Sequence, residues 1–146
     1  MSRDPAAQQP VLVRLEIPAD HRYLNVVGAC ATALLGRAPG LKEAEIAHYN
    51  IELALQEACA NIVDHAYAGQ PGRIVIELSY IEASRQLTVD LFDTGRPFDP
   101  QMAGEPPLDE PQVHGYGLFL IRSLMDETTY ESLPVGNHWR LTKRLT

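Results

Sequence analysis

The stretch QEACANIVDHAY, residues 56–67, combines helix-forming apolar residues with polar residues at a regular spacing. Glu57, Asn61 and His65 follow one another at intervals of four, so they lie on the same side of an α-helix. This pattern is typical of a polar seam at the edge of an amphipathic helix. A partly buried glutamate, however, needs a partner or a shifted pKa, and an asparagine oxygen one turn away can ligate Mg²⁺. Periodicity alone leaves both interpretations open.

The rest of the chain predicts an α+β fold around this helix. Alternating apolar residues predict strands over 11–17, 73–82, 86–93, 128–134 and 137–145. Helices are predicted over 22–35, with Asp20 as the N-cap, over 42–67 and over 116–127. A region with several prolines and no periodicity separates the third strand from the last helix, and we expect a functional loop there. This order predicts a two-layer sandwich, with helices on one face of a mixed sheet.

Bulk composition indicates one ordinary soluble domain. The chain has 146 residues, of which 45% are hydrophobic and 21% charged. We expect a disordered lead over residues 1–10 and a single domain over residues 11–146. No apolar stretch is long enough to span a membrane, and a net charge of -7 disfavours nucleic acid as a direct partner. Cys30 and Cys59 belong to no metal-binding motif and fit buried free thiols in a reducing cytoplasm.

Two glycine-containing segments carry further chemical signals. Asp93, Thr94 and Gly95 end a predicted strand; such a segment is often a simple turn, but the carboxylate can also accept a hydrogen bond from an amino group in a pocket. Gly115 and Gly117 precede or open the last predicted helix, where free N–H groups and the helix dipole favour phosphate. Taken in sequence with Glu57 and Asn61, these segments could hold a base, a cation, a purine and a phosphate chain.

That order of segments resembles the Bergerat-fold ATPases, and most closely the anti-sigma-factor serine-protein kinases of bacteria. QEACANIVDHAY is similar to the N-box of that family, DTGRPFDP to its first glycine box and GYGLFLIRSLMDE to its second. The closing segment NHWRLTKRL resembles the family's last strand. The resemblance extends over nearly the whole chain after Pro10, and it implies a Bergerat fold.

The resemblance also implies roles for individual residues, with ATP and Mg²⁺ as cofactors. Asn61 would hold the Mg²⁺ that bridges the phosphates, and Glu57 would act as general base on a serine hydroxyl. Asp93 would bind the adenine amino group beside Gly95, and Thr142 on the last strand would support Asp93. The phosphates would be cradled at the start of the last helix by Gly115, Gly117 and the N–H of Leu118.

Residues 96–114 would then form a lid over ATP, and His65 would make a structural hydrogen bond at the helix end. Arg96 and Arg122 are the candidate cations for the γ-phosphate.

The leading hypothesis is an ATP-dependent serine kinase and anti-sigma factor. It would phosphorylate a small antagonist protein and sequester a sigma factor, and the resemblance implies a homodimer; the free cysteines favour the cytoplasm. A nucleotide-gated binding module without useful phosphoryl transfer is the alternative; Glu57 argues against it, and the scarcity of cations in the lid argues for it. A soluble α+β domain without a nucleotide site is the third possibility.

Overall fold

The computed structural model describes residues 9–37, 44–98 and 116–145. Residues 1–8 of the predicted lead, residues 99–114 of the predicted lid and Gly115 lie outside the described residues. The described elements are β1 (Val11–Pro18), a 3₁₀ turn (His21–Tyr23), α1 (Leu24–Leu35), α2 (Ala44–Asn61), a π-helical turn (Ile62–Ala66), β2 (Arg73–Ile81), β3 (Gln86–Asp93), α3 (Tyr116–Leu124), β4 (Glu127–Ser132) and β5 (Asn137–Arg144).

The five strands form one sheet in the order β1-β2-β3-β5-β4. All four pairings in this sheet are antiparallel, so the expectation of a mixed sheet is wrong. The chain leaves β1 at one end of the sheet. Two consecutive helices, α1 and α2, bring it back to the same end, so β2 runs antiparallel to β1. The connection from β3 through α3 to β4 would make a parallel pair, but β5 lies between the two strands and pairs antiparallel with both.

The core lies between this sheet and the helices, which confirms the α+β, two-layer prediction. On β2 the side chains of Ile74, Ile76, Leu78 and Tyr80 are buried, and the residues between them are half-buried. Buried residues of α1, α2, α3 and the π-helical turn join the same hydrophobic cluster as the buried face of the strands; they include Val27, Ala31, Leu55, Ile62, Leu118 and Ile121. The sheet and helices therefore present their polar residues away from this layer or at its edge.

The predicted N-cap is confirmed, although the helix it precedes starts differently. The Asp20 carboxylate accepts a hydrogen bond from the backbone N–H of Arg22 at 2.9 Å. One 3₁₀ turn then leads into α1 at Leu24, where the sequence predicts α-helix from residue 22. Within the described residues, no helix is both long and apolar enough to cross a membrane.

Candidate nucleotide site

The start of α3 packs directly on the polar side of α2. A Cβ atom placed on Gly117 would lie 3.0 Å from Glu57 Oε2 and 3.1 Å from Asn61 Oδ1, so a side chain at this position would crowd both groups. Leu118 is buried with 3% exposure, and its backbone N–H belongs to the first turn, whose N–H groups have no partner within the helix. The structure thus brings Gly117, at the start of α3, next to Glu57 and Asn61.

Asp93 ends β3 as a buried carboxylate with one oxygen bonded and the other without a partner. Its Oδ1 accepts hydrogen bonds from the backbone N–H of Gly95 at 2.8 Å and from Asn137 Nδ2 at 2.7 Å. Its Oδ2 is buried and has no hydrogen-bond partner within the described part of the chain. Burial raises the pKa of Asp93, and the hydrogen bonds from Asn137 and Gly95 offset part of that rise. A buried acceptor without a partner is costly, and a ligand donor would remove that cost.

The segment that follows Asp93 is fastened to the end of the long helix. A Cβ on Gly95 would lie only 2.4 Å from the backbone oxygen of Ala66, so this close approach requires glycine. The Ala66 oxygen also accepts a hydrogen bond from the Arg96 N–H at 2.8 Å, and the His65 oxygen accepts one from Arg96 Nε at 2.7 Å. This contact fixes the turn after Asp93 relative to Asn61.

A π-helical turn ends the long helix at those carbonyl groups. The helix predicted over residues 42–67 is α-helical from Ala44 to Asn61, and then widens to a π-helix over Ile62–Ala66. His65 and Ala66 lie in the last turn of this helix, whose carbonyl groups are not used by the helix itself, so they accept the hydrogen bonds from Arg96. Single π-turns of this kind often occur at functional sites. The predicted side-chain hydrogen bond of His65 stays a prediction.

Tyr67 is a positioning residue that the sequence analysis missed. Its hydroxyl donates to the Arg73 carbonyl at 2.5 Å and accepts from the Thr94 N–H at 2.9 Å. Its ring lies so close to Gly72 that a Cβ there would be 2.2 Å from Cε1. The tyrosine therefore ties the end of β3 to the start of β2 beside Asp93. The available signal was the tyrosine that closes the His-Ala-Tyr end of the first motif.

The prediction that Thr142 supports Asp93 is wrong. In the register of β3 and β5, Thr142 pairs with Thr88 and Asn137 pairs with Asp93. Five residues of strand separate the two positions, which corresponds to roughly 16 Å. Asn137, with 1% exposure, supports the carboxylate instead. Sequence reasoning missed it because it identified the strand but not the register.

Two clefts flank the assembled side chains. The inner cleft encloses about 10 Å³, which is room for one water molecule; it is lined by Asn61, Ile62, His65, Ala66, Arg96, Phe98, Asn137 and Trp139. Phe98 packs edge-on against Trp139 at 5.1 Å between ring centroids, and both rings line this cleft. The outer cleft is open, has a volume of about 290 Å³ and is lined by His21, Leu24, Asn25, Gln56, Glu57 and Ala60.

Known proteins resemble this chain along most of its length. Residues 17–143 match the family model described as the histidine kinase-like ATPase domain. The serine/threonine-protein kinase BtrW of Bordetella bronchiseptica is 34% identical over 99 residues, which cover 64% of this chain and 68% of that protein. The serine-protein kinase RsbW of Halalkalibacterium halodurans is 30% identical over 127 residues, which cover 82% of this chain and 75% of that protein.

A solved structure supports the fold independently. The crystal structure of the RsbU and RsbW domains of a Mycobacterium tuberculosis protein superposes with a TM-score of 0.65 at 20% identity. The match covers 92% of this chain and 32% of that one, so this chain spans about a third of that structure. At this identity the likeness concerns the fold alone.

Proposed function

This chain belongs to the histidine kinase-like ATPase domain family and, like the kinases to which it is similar, is a protein kinase; from that premise we propose its substrates and partners. We propose that it transfers the γ-phosphoryl group of ATP to a serine of a small anti-sigma-factor antagonist, and that it also sequesters a sigma factor. In this proposal residues 11–146 act as one ATP-binding domain, and the protein works in the cytoplasm as a homodimer.

The observation that carries the nucleotide proposal is the unpaired oxygen of Asp93. Adenine presents an amino group, which would give Oδ2 the donor that it lacks among the described residues. Gly117 and Leu118 place the first turn of α3 beside Asn61, where backbone N–H groups would bind phosphate. A base site and a phosphate site thus lie on either side of the end of α2.

Asn61 would hold Mg²⁺ together with the phosphates. Among residues 9–37, 44–98 and 116–145, no group of three or more His, Cys, Asp or Glu side chains could hold a metal ion. Mg²⁺ commonly binds through one or two protein oxygens plus substrate phosphates, and the Asn61 oxygen beside Gly117 fits that arrangement. When bound, the ion would supply positive charge at the phosphates.

Glu57 would act as the general base. It lies against the start of α3 on one side and lines the open outer cleft on the other. A serine that enters from the outer cleft would give its hydroxyl proton to the Glu57 carboxylate. The serine oxygen would then bond to the γ-phosphorus as the bond to the β,γ-bridging oxygen breaks and ADP leaves.

One observation favours the second candidate, a nucleotide-gated binding module. Residues 96–114 contain a single cation, Arg96, and its Nε donates to the His65 carbonyl at 2.7 Å. Charge at the γ-phosphate would then depend on Mg²⁺ and backbone N–H groups. In this case ATP would change partner affinity, and no phosphoserine would form.

Incubation with γ-labelled ATP and a candidate antagonist separates the two candidates. The kinase proposal predicts label on one serine of the antagonist, and loss of that label when the serine is replaced by alanine. A chain that binds ATP and the antagonist, yet leaves every serine unlabelled at long times, would be the binding module instead. Genes beside this one that encode an antagonist or a sigma factor would supply the proteins for this assay.

A further inference from the structure

A directional chain of hydrogen bonds ends at Asp93. The backbone N–H of Phe98 donates to the Tyr130 hydroxyl at 2.7 Å, and that hydroxyl donates to Asn137 Oδ1. Asn137 Nδ2 then donates to Asp93 Oδ1 at 2.7 Å and to the Arg96 carbonyl at 2.9 Å. The chain joins β4, β5, the end of β3 and residues 96–98.

The polarity of this chain fixes the orientation of the Asn137 amide. The Tyr130 oxygen accepts from a backbone N–H, which can only donate, so its own proton points to Asn137. The amide oxygen is therefore held toward Tyr130, and both amide protons are directed at Asp93 and the Arg96 carbonyl. A flipped amide would set two oxygens against each other at Asp93 Oδ1 and at Arg96.

The same chain determines which oxygen of Asp93 is free. Asn137 and Gly95 both donate to Oδ1, so the carboxylate cannot turn without losing two hydrogen bonds. Oδ2 is left as a buried acceptor that has no hydrogen-bond partner among the residues that the structure describes. A site that ends in an acceptor selects a 6-amino purine over a 6-oxo purine, because a carbonyl oxygen facing Oδ2 would leave both groups unpaired.

We propose that Asn137, held in one orientation by Tyr130, is a positioning and specificity-determining residue that makes the base site selective for adenine. The inference rests on the proposed nucleotide site and adds the source of its base selectivity. Neither residue touches the reacting atoms, and both act through Asp93. The pair also anchors the backbone of Arg96 and Phe98, so base recognition and the first residues of the predicted lid share one support.

Paired titrations with ATP and inosine triphosphate test the proposal. Trp139 is the only tryptophan, lies 4.7 Å from the Tyr130 ring and lines the inner cleft, so its fluorescence reports binding. The variants are Tyr130→Phe, which keeps the ring and removes one oxygen, Asn137→Leu, and the double variant. Tyr49→Phe, at a side chain 67% exposed on α2, is the matched control.

Tyr130→Phe should weaken ATP binding about tenfold, the equivalent of one hydrogen bond, and leave the affinity for inosine triphosphate within about twofold. Asn137→Leu should weaken ATP binding roughly a hundredfold. The double variant should bind ATP no more weakly than that, because both residues act through the same hydrogen-bond chain to Asp93. Tyr49→Phe should match the wild type.

If Tyr130→Phe leaves the ratio of the ATP and inosine triphosphate affinities unchanged, whether neither affinity falls or both fall equally, the proposal is overturned. Thermal unfolding checks each variant; if Asn137→Leu does not fold, Tyr130→Phe decides the question alone. Failure of the wild type to bind either nucleotide would instead refute the proposed function, so the two failures are distinguishable.

Discussion

Replacing Glu57 with glutamine should remove serine phosphorylation while ATP binding persists. The amide keeps the size of the side chain beside Gly117, but it cannot accept the serine proton. General-base catalysis typically contributes roughly 10²–10⁴-fold to a rate, so the initial rate of phosphoserine formation should fall by about that factor. The dissociation constant for ATP should stay within about threefold, because Glu57 is not expected to hold the base or the phosphates.

Glu82→Gln provides the matched control for this prediction. Glu82 is an exposed glutamate in the turn between β2 and β3, so its variant should phosphorylate at the wild-type rate. Phosphoserine formation by Glu57→Gln at the control rate would contradict the base role. A parallel loss of ATP binding would show instead that Glu57 shapes the nucleotide site.

Replacing Asp93 with asparagine should reverse the base preference without unfolding the protein. An asparagine oxygen can accept from Gly95 and Asn137, as Asp93 Oδ1 does, and its amide nitrogen would then replace the free acceptor with a donor. ATP affinity should fall roughly a hundredfold and inosine triphosphate should bind more tightly than ATP. Calorimetric titration of both nucleotides measures the change.

Asp90→Asn is the control on the same strand. Asp90 is also buried, at 7% exposure, but it lies three positions before Asp93 on β3, so its side chain faces the other side of the sheet. It accepts hydrogen bonds from Arg140 and is paired with His138 there. This variant should lose stability and keep its ATP affinity. Equal ATP affinity in Asp93→Asn and the wild type would contradict the adenine role.

The pH dependence of ATP binding follows from the same carboxylate. Because burial raises the pKa of Asp93 in the folded protein, the folded state takes up a proton more readily than the unfolded chain, and this group favours folding more as pH falls. ATP binding has the opposite sign, since protonation of Oδ2 turns its free acceptor into a donor. As the pH falls, the affinity for ATP should therefore begin to decline at a pH above the usual pKa of an aspartate side chain. The decline should be absent in Asp93→Asn.

The sequence predicted the bounds of an element well where a single pattern, such as the alternation of apolar residues along a strand, determines them. The strand over residues 86–93 has the same bounds in the structure, because its alternation matches a sheet with one buried face. In the turn before this strand, Arg85 has a φ of 54°. An arginine in the sequence does not predict this left-handed backbone conformation. The helix predicted to residue 127 ends at Leu124, because Glu127 already pairs with Thr142 in the sheet.

The candidate site was predictable to the extent that its residues share an element or a motif. Glu57 and Asn61 are one turn apart, so their proximity follows from the helix. Asn137 and Tyr130 were not predictable, because their roles depend on the register of β5 with β3 and β4. Because Asp93 is the last residue of β3, an antiparallel neighbouring strand places its first residue opposite Asp93. The sequence predicted a mixed sheet, so this pairing with Asn137 was not inferred. No local pattern in the sequence encodes the π-helical turn after Asn61.

Calorimetric titration of the purified chain with ATP, in the presence and absence of Mg²⁺, shows whether this chain holds a magnesium-dependent ATP site. We expect saturable binding of one ATP per chain that weakens at least tenfold when Mg²⁺ is chelated, because Asn61 and the phosphates would share the ion. Binding that is absent under both conditions would contradict an ATP site built from Asn61, Asp93 and the start of α3.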